Sequence, residues 1–201
     1  LAFLAYRAIP GVESVTASRY SRNIQIGEET GSLDVEHDQE HRCLLVNIDL
    51  PTSKHLFYAL ERVKRLFDLA ADPLEINKSF EDDPIMATLI KQNPGQRVVG
   101  CWDPFEIAVR AIVGQQVSVK GATTVMGRIA KMYGNETDKG LCFPSPQVLA
   151  TLDISTLSMP TKRAQAIKDL SQAVASGEIN FDTVVTPEEL VEQLVEIKGI
   201  G

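Results

Sequence analysis

The chain has 201 residues, with 20 Lys and Arg against 27 Asp and Glu, a formal net charge of −7 at pH 7. Hydrophobic residues make up 44% and charged residues 23%, which excludes a mainly disordered polymer and allows one large domain or two modest ones. No apolar run approaches the roughly 20 residues that cross a bilayer, and the net acidity argues against a generic polyanion binder.

The chain opens Leu1-Ala2-Phe3, without an initiator methionine or a signal-peptide pattern, and stops at Ile200-Gly201. It therefore reads as a piece of a longer protein. Within residues 1–50, Asn23-Ile24-Gln25-Ile26, Ser32-Leu33-Asp34-Val35 and the segment from Leu44 to Leu50 alternate in the manner of short strands, separated by Gly27, Gly31 and polar runs. An antiparallel meander with one wet face is expected there. Leu56, Ala59, Leu60, Val63, Leu66, Phe67 and Ala70 recur at helical spacing, so an amphipathic helix is expected to cover the sheet. Pro73, Pro84, Pro94 and Gly95 break residues 72–100 into short helices and a linker, with Asp83 as one N-cap.

From residue 101 the pattern is helical. Asp103-Pro104 with Glu106 opens a helix that is apolar nearly all round and is expected to be buried, with Glu106 and Arg110 as an i,i+4 pair. Ser118 caps a second helix, and further helices are expected near 146–152, at 161–176 ending at Gly177, and at 187–197 behind a Thr186-Pro187-Glu188-Glu189 capping box. Cys43, Cys101 and Cys142 suit neither a disulfide framework nor a C-x-x-C metal site, and point to a reducing cytosol.

Charge is unevenly distributed. Residues 23–41 and 178–196 each hold six acids and no Lys or Arg, whereas residues 104–177 hold eight bases against five acids, a net of +3. A locally basic surface in the middle of an acidic chain is thus allowed.

Two segments could carry chemistry. In Gly114-Gln115-Gln116-Val117-Ser118, one helix ends and another begins with exposed amides, which attract anions, and two glutamine amides sit at the corner. An ordinary solvated turn explains the same residues. At Lys198-Gly199-Ile200-Gly201, a Gly-x-Gly after an amphipathic helix lets the backbone approach a ligand, or simply caps the helix. His37 and His41 lie in a turn region where a four-residue spacing does not put both rings on one face, so no metal site is expected from them.

The ordered series Cys101-Trp102-Asp103-Pro104-Phe105-Glu106, Arg110 to Val119 through Gly114-Gln115-Gln116-Val117, Cys142-Phe143-Pro144-Ser145-Pro146, Met159-Pro160-Thr161-Lys162-Arg163-Ala164 and Ile197 to Gly201 resembles the 3-methyladenine DNA glycosylase II (AlkA) family of helix-hairpin-helix glycosylases. The similarity runs from about Phe3 to Gly201. It implies an α+β fold, with an antiparallel sheet and helices over residues 1–90 and an incomplete helical glycosylase core over 91–201. It also implies a bacterial, cytoplasmic, monomeric repair enzyme without a cofactor, hydrolysing the N-glycosidic bond of alkylated bases flipped out of double-stranded DNA.

Roles follow by position. The resemblance implies DNA binding by Gln115, Gln116, Val117 and Ser118, with Gln116 as the inserting wedge, and by Lys198, Gly199 and Gly201 of the hairpin. It implies a base pocket bordered by Phe3 and Gln115, and a monovalent cation held by the backbone carbonyls of Val195, Ile197 and Ile200. The family's catalytic aspartate would lie beyond Gly201. Asp103, Asp153 and Asp169 read as caps or surface residues, so the 201 residues alone are expected to be inactive. Two other readings stay open: a non-catalytic module that binds distorted DNA, and a glycosylase-like domain of a larger regulatory or repair polypeptide.

Overall fold

The computed structural model describes residues 1–183 and 186–200. In chain order its elements are α1 (Ala2–Ala5), β1 (Glu13–Val15), β2 (Arg19–Ile26), β3 (Glu29–Asp38), β4 (Cys43–Asp49), α2 (Leu56–Leu66), α3 (Pro73–Ser79), α4 (Pro84–Gln92), α5 (Pro104–Gly114), α6 (Val119–Tyr133), β5 (Asn135–Thr137), β6 (Gly140–Cys142), α7 (Pro146–Ala150), a 3-10 turn (Ile154–Thr156), α8 (Thr161–Ser176) and α9 (Pro187–Val195). The class is α+β. The chain divides into two compact units, Leu1–Ser53 with Pro104–Gly201, and Lys54–Asp103.

In the first unit, strands β1 to β4 form an antiparallel sheet in sequential order. Tyr20 pairs with Val35, Arg22 with Leu33 and Ile24 with Gly31, and on this face Tyr20, Arg22, Ile24, Leu33 and Val35 are buried. Strand β2 begins four residues before the expected Asn23. The cause is Arg22, a charged side chain on the buried face, which hides the alternation from Tyr20 through Ile24 to Ile26.

Its burial is compensated. Arg22 lies 2.8 Å from the Glu106 carboxylate on α5 and 3.4 Å from Glu13. The Tyr20 hydroxyl donates to Glu13 at 2.6 Å, and the Ile9 amide donates to the same carboxylate at 2.8 Å. Glu106 is thus engaged with the sheet as well as acting electrostatically on Arg110 four residues on. Arg110 donates to the Arg7 carbonyl at 2.8 Å and to Thr123 at 3.3 Å.

The helical core of this unit gathers Val109 and Ile112 of α5, Met126 and Ile129 of α6, Leu149 of α7, and Ile167 and Leu170 of α8, with Ile9 and Val12 inserted from before the sheet. Full burial of each large aliphatic side chain contributes roughly 1.5–3 kcal/mol, enough to hold short helices that would not persist alone. Helix α5 is not buried all round. Phe105, Val109, Ile112 and Val113 face the core, whereas Ile107 is 45% exposed and Ala111 is exposed. A helix at the edge of one core buries a stripe, not a cylinder.

The β5–β6 hairpin had no recognisable signal, since three-residue strands are too short to show alternation. It clips onto the sheet side: Leu141 donates to the Gly11 carbonyl at 2.8 Å, and Asn23 donates to the Gly11 and Lys139 carbonyls.

The second unit holds α2, α3 and α4, so the helix expected to cover the sheet belongs to a separate compact unit. Asp72 caps α3, and Asp83 caps α4 as expected, accepting from Ile85 and Met86 at 2.9 and 3.0 Å. The strand-like return after α4 is held by Arg97 donating to the Ala71 and Asp68 carbonyls and by the Gly100 amide donating to Leu66 at 2.9 Å.

Candidate nucleic-acid interface

Helix α5 stops where its buried stripe stops, after Ile112 and Val113. The turn that follows is tight: the Gln115 amide donates to the Ile112 carbonyl and the Val117 amide to the Gly114 carbonyl, each at 3.3 Å. Closing it forces Gln116 into the left-handed region, φ 58°, a conformation that costs a non-glycine residue about 1 kcal/mol. Ser118 then caps α6, its hydroxyl accepting from the Gly121 amide at 3.1 Å. Gln116, Val117 and Ser118 are all exposed, as are Val119 and Lys120 in the first turn of α6.

The second expected segment follows α9. Thr186 and Glu189 form the anticipated capping box, with hydrogen bonds of 2.8 and 3.2 Å. At the other end, Ile197 is buried, and Leu194 and Ile200 pack against the core on either side of it. The Ile197 amide donates to Leu194, and the Ile200 amide donates to the Ile197 carbonyl at 3.0 Å. Between them, Lys198 and Gly199 are exposed. Gly199 has φ 101°, and a Cβ there would stand 3.3 Å from Cβ of Ala166 and 3.8 Å from the Lys162 carbonyl. The hairpin therefore lies against the first turns of α8, beside the exposed Lys162. Gly201 and the valines at 184 and 185 lie outside the described residues.

The two segments meet. The side-chain amide of Gln115 donates to the Gly199 carbonyl at 3.0 Å, across 84 residues of chain. One surface thus carries the left-handed Gln116, exposed Val117, the α6 N-terminus with Lys120, and the hairpin with Lys198. Such a surface offers backbone amides and lysines to phosphate and an exposed side chain to a groove.

Phe3, the expected pocket aromatic, sits in α1 and is 49% exposed. The Arg7 guanidinium stacks on its ring at 3.7 Å and also donates to the Phe3 carbonyl at 3.3 Å. Arg110 fixes the Arg7 backbone, as described above, and burial pushes the Arg110 guanidinium below its ordinary range despite the opposing carboxylate of Glu106. Sequence reading missed Arg7 and Arg110. The i,i+4 spacing of Phe3 and Arg7 was the available signal for the first; the role of Arg110 is tertiary and had none.

Several expected residues prove to be structural. Asp153 caps the 3-10 turn, accepting from Ser155 at 2.9 Å, and that contact holds its carboxyl below the usual range. Asp169 accepts from Gln165 at 2.6 Å, and Asp103 lies 3.5 Å from Arg62. Lys139, counted in the basic middle, lies 2.6 Å from Asp49 at the sheet. His41 pairs with Asp38 at 2.8 Å. Among the described residues no group of three or more His, Cys, Asp or Glu could hold a metal ion. At the hairpin, Ile197 O already accepts one hydrogen bond; a carbonyl oxygen has a second lone pair, so a cation of low charge fits these neutral donors.

The fold thus joins a four-stranded antiparallel sheet to a helical core in which the α5–α6 turn meets the turn after α9. A family model for the AlkA N-terminal domain matches residues 1–103. The chain is 35% identical over 207 residues to DNA-3-methyladenine glycosylase 2 of Escherichia coli, an alignment covering all of this chain and 71% of that protein. It is 34% identical over 204 residues to a Mycobacterium tuberculosis protein described as a probable bifunctional transcriptional activator/DNA repair enzyme AlkA, covering 98% of this chain and 40% of the other. Among solved structures, a 3-methyladenine DNA-glycosylase from Archaeoglobus fulgidus superposes with a TM-score of 0.82 at 19% identity, over 100% of this chain and 70% of that one. An 8-oxoguanine glycosylase/lyase of Clostridium acetobutylicum with DNA superposes at 0.69 and 21% identity, over 95% and 65%. The chain belongs to the AlkA family of DNA-3-methyladenine glycosylases.

Proposed function

We propose that this chain is the damage-recognising part of a base-excision repair glycosylase that removes alkylated bases of the 3-methyladenine type from double-stranded DNA. The single observation that carries the reading is the junction of the 115–118 turn with the 196–200 hairpin through Gln115 and Gly199. The hairpin amides and Lys198, with Gly201 following, receive a phosphate, while Gln116, supported by Val117 and Ser118, enters the groove and fills the space left by a flipped nucleotide. Phe3 offers its ring face to an electron-poor base, and Gln115 borders the same pocket; stacking there requires Arg7 to leave the ring it covers. The carbonyls of Val195, Ile197 and Ile200 hold a monovalent cation that stiffens the hairpin.

The reading includes a monomeric, cytoplasmic protein and a division of labour between an α+β region over 1–90 and a helical core from 91. The carboxylates nearest to candidacy are employed as caps or in surface pairs, so residues 1–201 bind DNA without cleaving the glycosidic bond. The test uses the 201-residue chain with duplexes containing a tetrahydrofuran abasic site, 3-methyladenine or neither. Salt-sensitive binding that prefers the abasic duplex, with no base release, is expected. Release of 3-methyladenine overturns the inactivity; equal affinity for all three duplexes overturns the recognition role. A second reading, a glycosylase-like part of a larger regulatory and repair polypeptide, is favoured by the alignment to the M. tuberculosis protein, and the codons flanking residues 1–201 decide it.

A further inference from the structure

The DNA-facing surface is assembled from two pieces that no secondary-structure element joins: the turn between α5 and α6, and the hairpin after α9. A groove-entering side chain and a phosphate-binding backbone must keep a fixed spacing, because the distance between a minor groove and its flanking phosphates is set by the duplex. Only one hydrogen bond between the two pieces is found among the described residues, from the Gln115 side-chain amide to the Gly199 carbonyl at 3.0 Å. Its two ends stand at the tightest bends of their segments. Gln115 directly precedes the left-handed Gln116, and Gly199 itself has φ 101°.

We propose that Gln115 is a positioning residue that latches the 115–118 turn to the hairpin and so fixes where Gln116 projects, its side-chain amide being committed to the protein rather than to DNA. The proposal rests on the DNA-recognition reading above. Three features support it. The side-chain amide of Gln115 is spent on a protein carbonyl, and the residue is half-buried whereas Gln116, Val117 and Ser118 are exposed. The carbonyl it holds belongs to a residue whose backbone runs close along α8, where an added Cβ would stand 3.3 Å from Cβ of Ala166, so the latch refers the turn to a segment seated beside α8. Finally, the backbone of the turn closes on itself through only two hydrogen bonds of 3.3 Å, both long, which leaves the left-handed residue dependent on an external constraint.

The test has two arms, made with the 201-residue chain and the variants Gln115→Ala, Gln115→Glu, Gln116→Ala and Gln115→Ala/Gln116→Ala. Glutamate keeps the shape but presents oxygens to the Gly199 carbonyl. In the first arm, native-state hydrogen exchange of the Ile200 amide, which closes the hairpin onto Ile197, is expected to quicken about fivefold in both Gln115 variants, the loss of one modest hydrogen bond, with an unchanged melting temperature. In the second arm, fluorescence anisotropy compares an abasic duplex with a plain one. Each single alanine variant is expected to reduce the preference for the abasic duplex about tenfold, and the double variant no further, because a wedge without its latch is already misplaced. The slope of affinity against salt is expected to stay constant in the alanine variants, since no charge is removed.

Unchanged exchange at Ile200 in both Gln115 variants overturns the latch. Faster exchange combined with multiplicative binding losses overturns the positioning role and makes Gln115 a direct DNA contact. A wild-type chain that binds neither duplex sinks the DNA reading, while the exchange arm still decides the contact.

Discussion

Arg22 is the residue on which the first compact unit turns. Its side chain is 3% exposed, inside a sheet face otherwise built from Tyr20, Ile24 and Leu33. Burial works to discharge the guanidinium, but the Glu106 carboxylate, aided by Tyr20 and Glu13, outweighs it and holds the group well above its ordinary range. A buried cation survives only with such partners, and removing one leaves charge uncompensated. Glu106→Gln retains the shape of the contact and removes the charge. It is expected to lower stability by about 3 kcal/mol, read from urea unfolding with an unchanged m-value; a loss under about 1 kcal/mol would show that the partners other than Glu106 suffice. Nothing in the polar run Ser21-Arg22-Asn23 announces this role, because its partner on α5 is 84 residues away.

At the scale of elements, two glycines separate backbone strain from function. Gly199 and Gly177 both have positive φ, 101° and 83°, so alanine at either costs about 1 kcal/mol of local strain. At Gly177, the C-cap of α8, a Cβ would meet nothing within 4 Å, whereas at Gly199 it would press on Ala166. Gly199→Ala is therefore expected to weaken binding to the abasic duplex at least tenfold and Gly177→Ala to leave it within about twofold. Equal effects would detach the hairpin from DNA binding. Elements were the most legible scale. The caps at Ser118, Asp83 and Thr186 stand where side-chain chemistry required, since capping is local. Strand β1 and the β5–β6 hairpin escaped notice because three residues carry no period, and the exposed stripe of α5 did so because hydrophobicity does not say which core a helix joins.

The molecule as a whole should lose stability in alkali. Burial pushes the Cys142 thiol up from 9.0 to about 11, and burial, more than the nearby carboxylates, raises the Tyr20 hydroxyl far above its ordinary 10.0. Between pH 9 and 11 the unfolded chain releases protons that the folded chain retains, so the unfolded state gains and stability falls as pH rises. The melting temperature is expected to hold to about pH 9 and then decline. Cys142→Ala is expected to shift the onset toward pH 10, where Tyr20 takes over. An onset unmoved by that change would assign the alkaline loss to Tyr20 alone. Net charge, −7 over the chain, is likewise a whole-molecule quantity that misdescribes the surface at issue. Lys120, Lys162 and Lys198 lie near the turn and hairpin while Lys139 is held by Asp49.

By itself the sequence determined what depends on neighbours in the chain: the longer strands and helices, several of their caps, and the two short segments, Gln115 to Ser118 and Lys198 to Gly201, whose motifs resemble one family. Tertiary structure alone decided what depends on distance through space. It brought Glu106 onto the buried Arg22, laid Arg7 over Phe3, and joined Gln115 to Gly199. Hydrogen bonds and ion pairs act over a few ångströms, and only folding brings residues 84 apart within that reach.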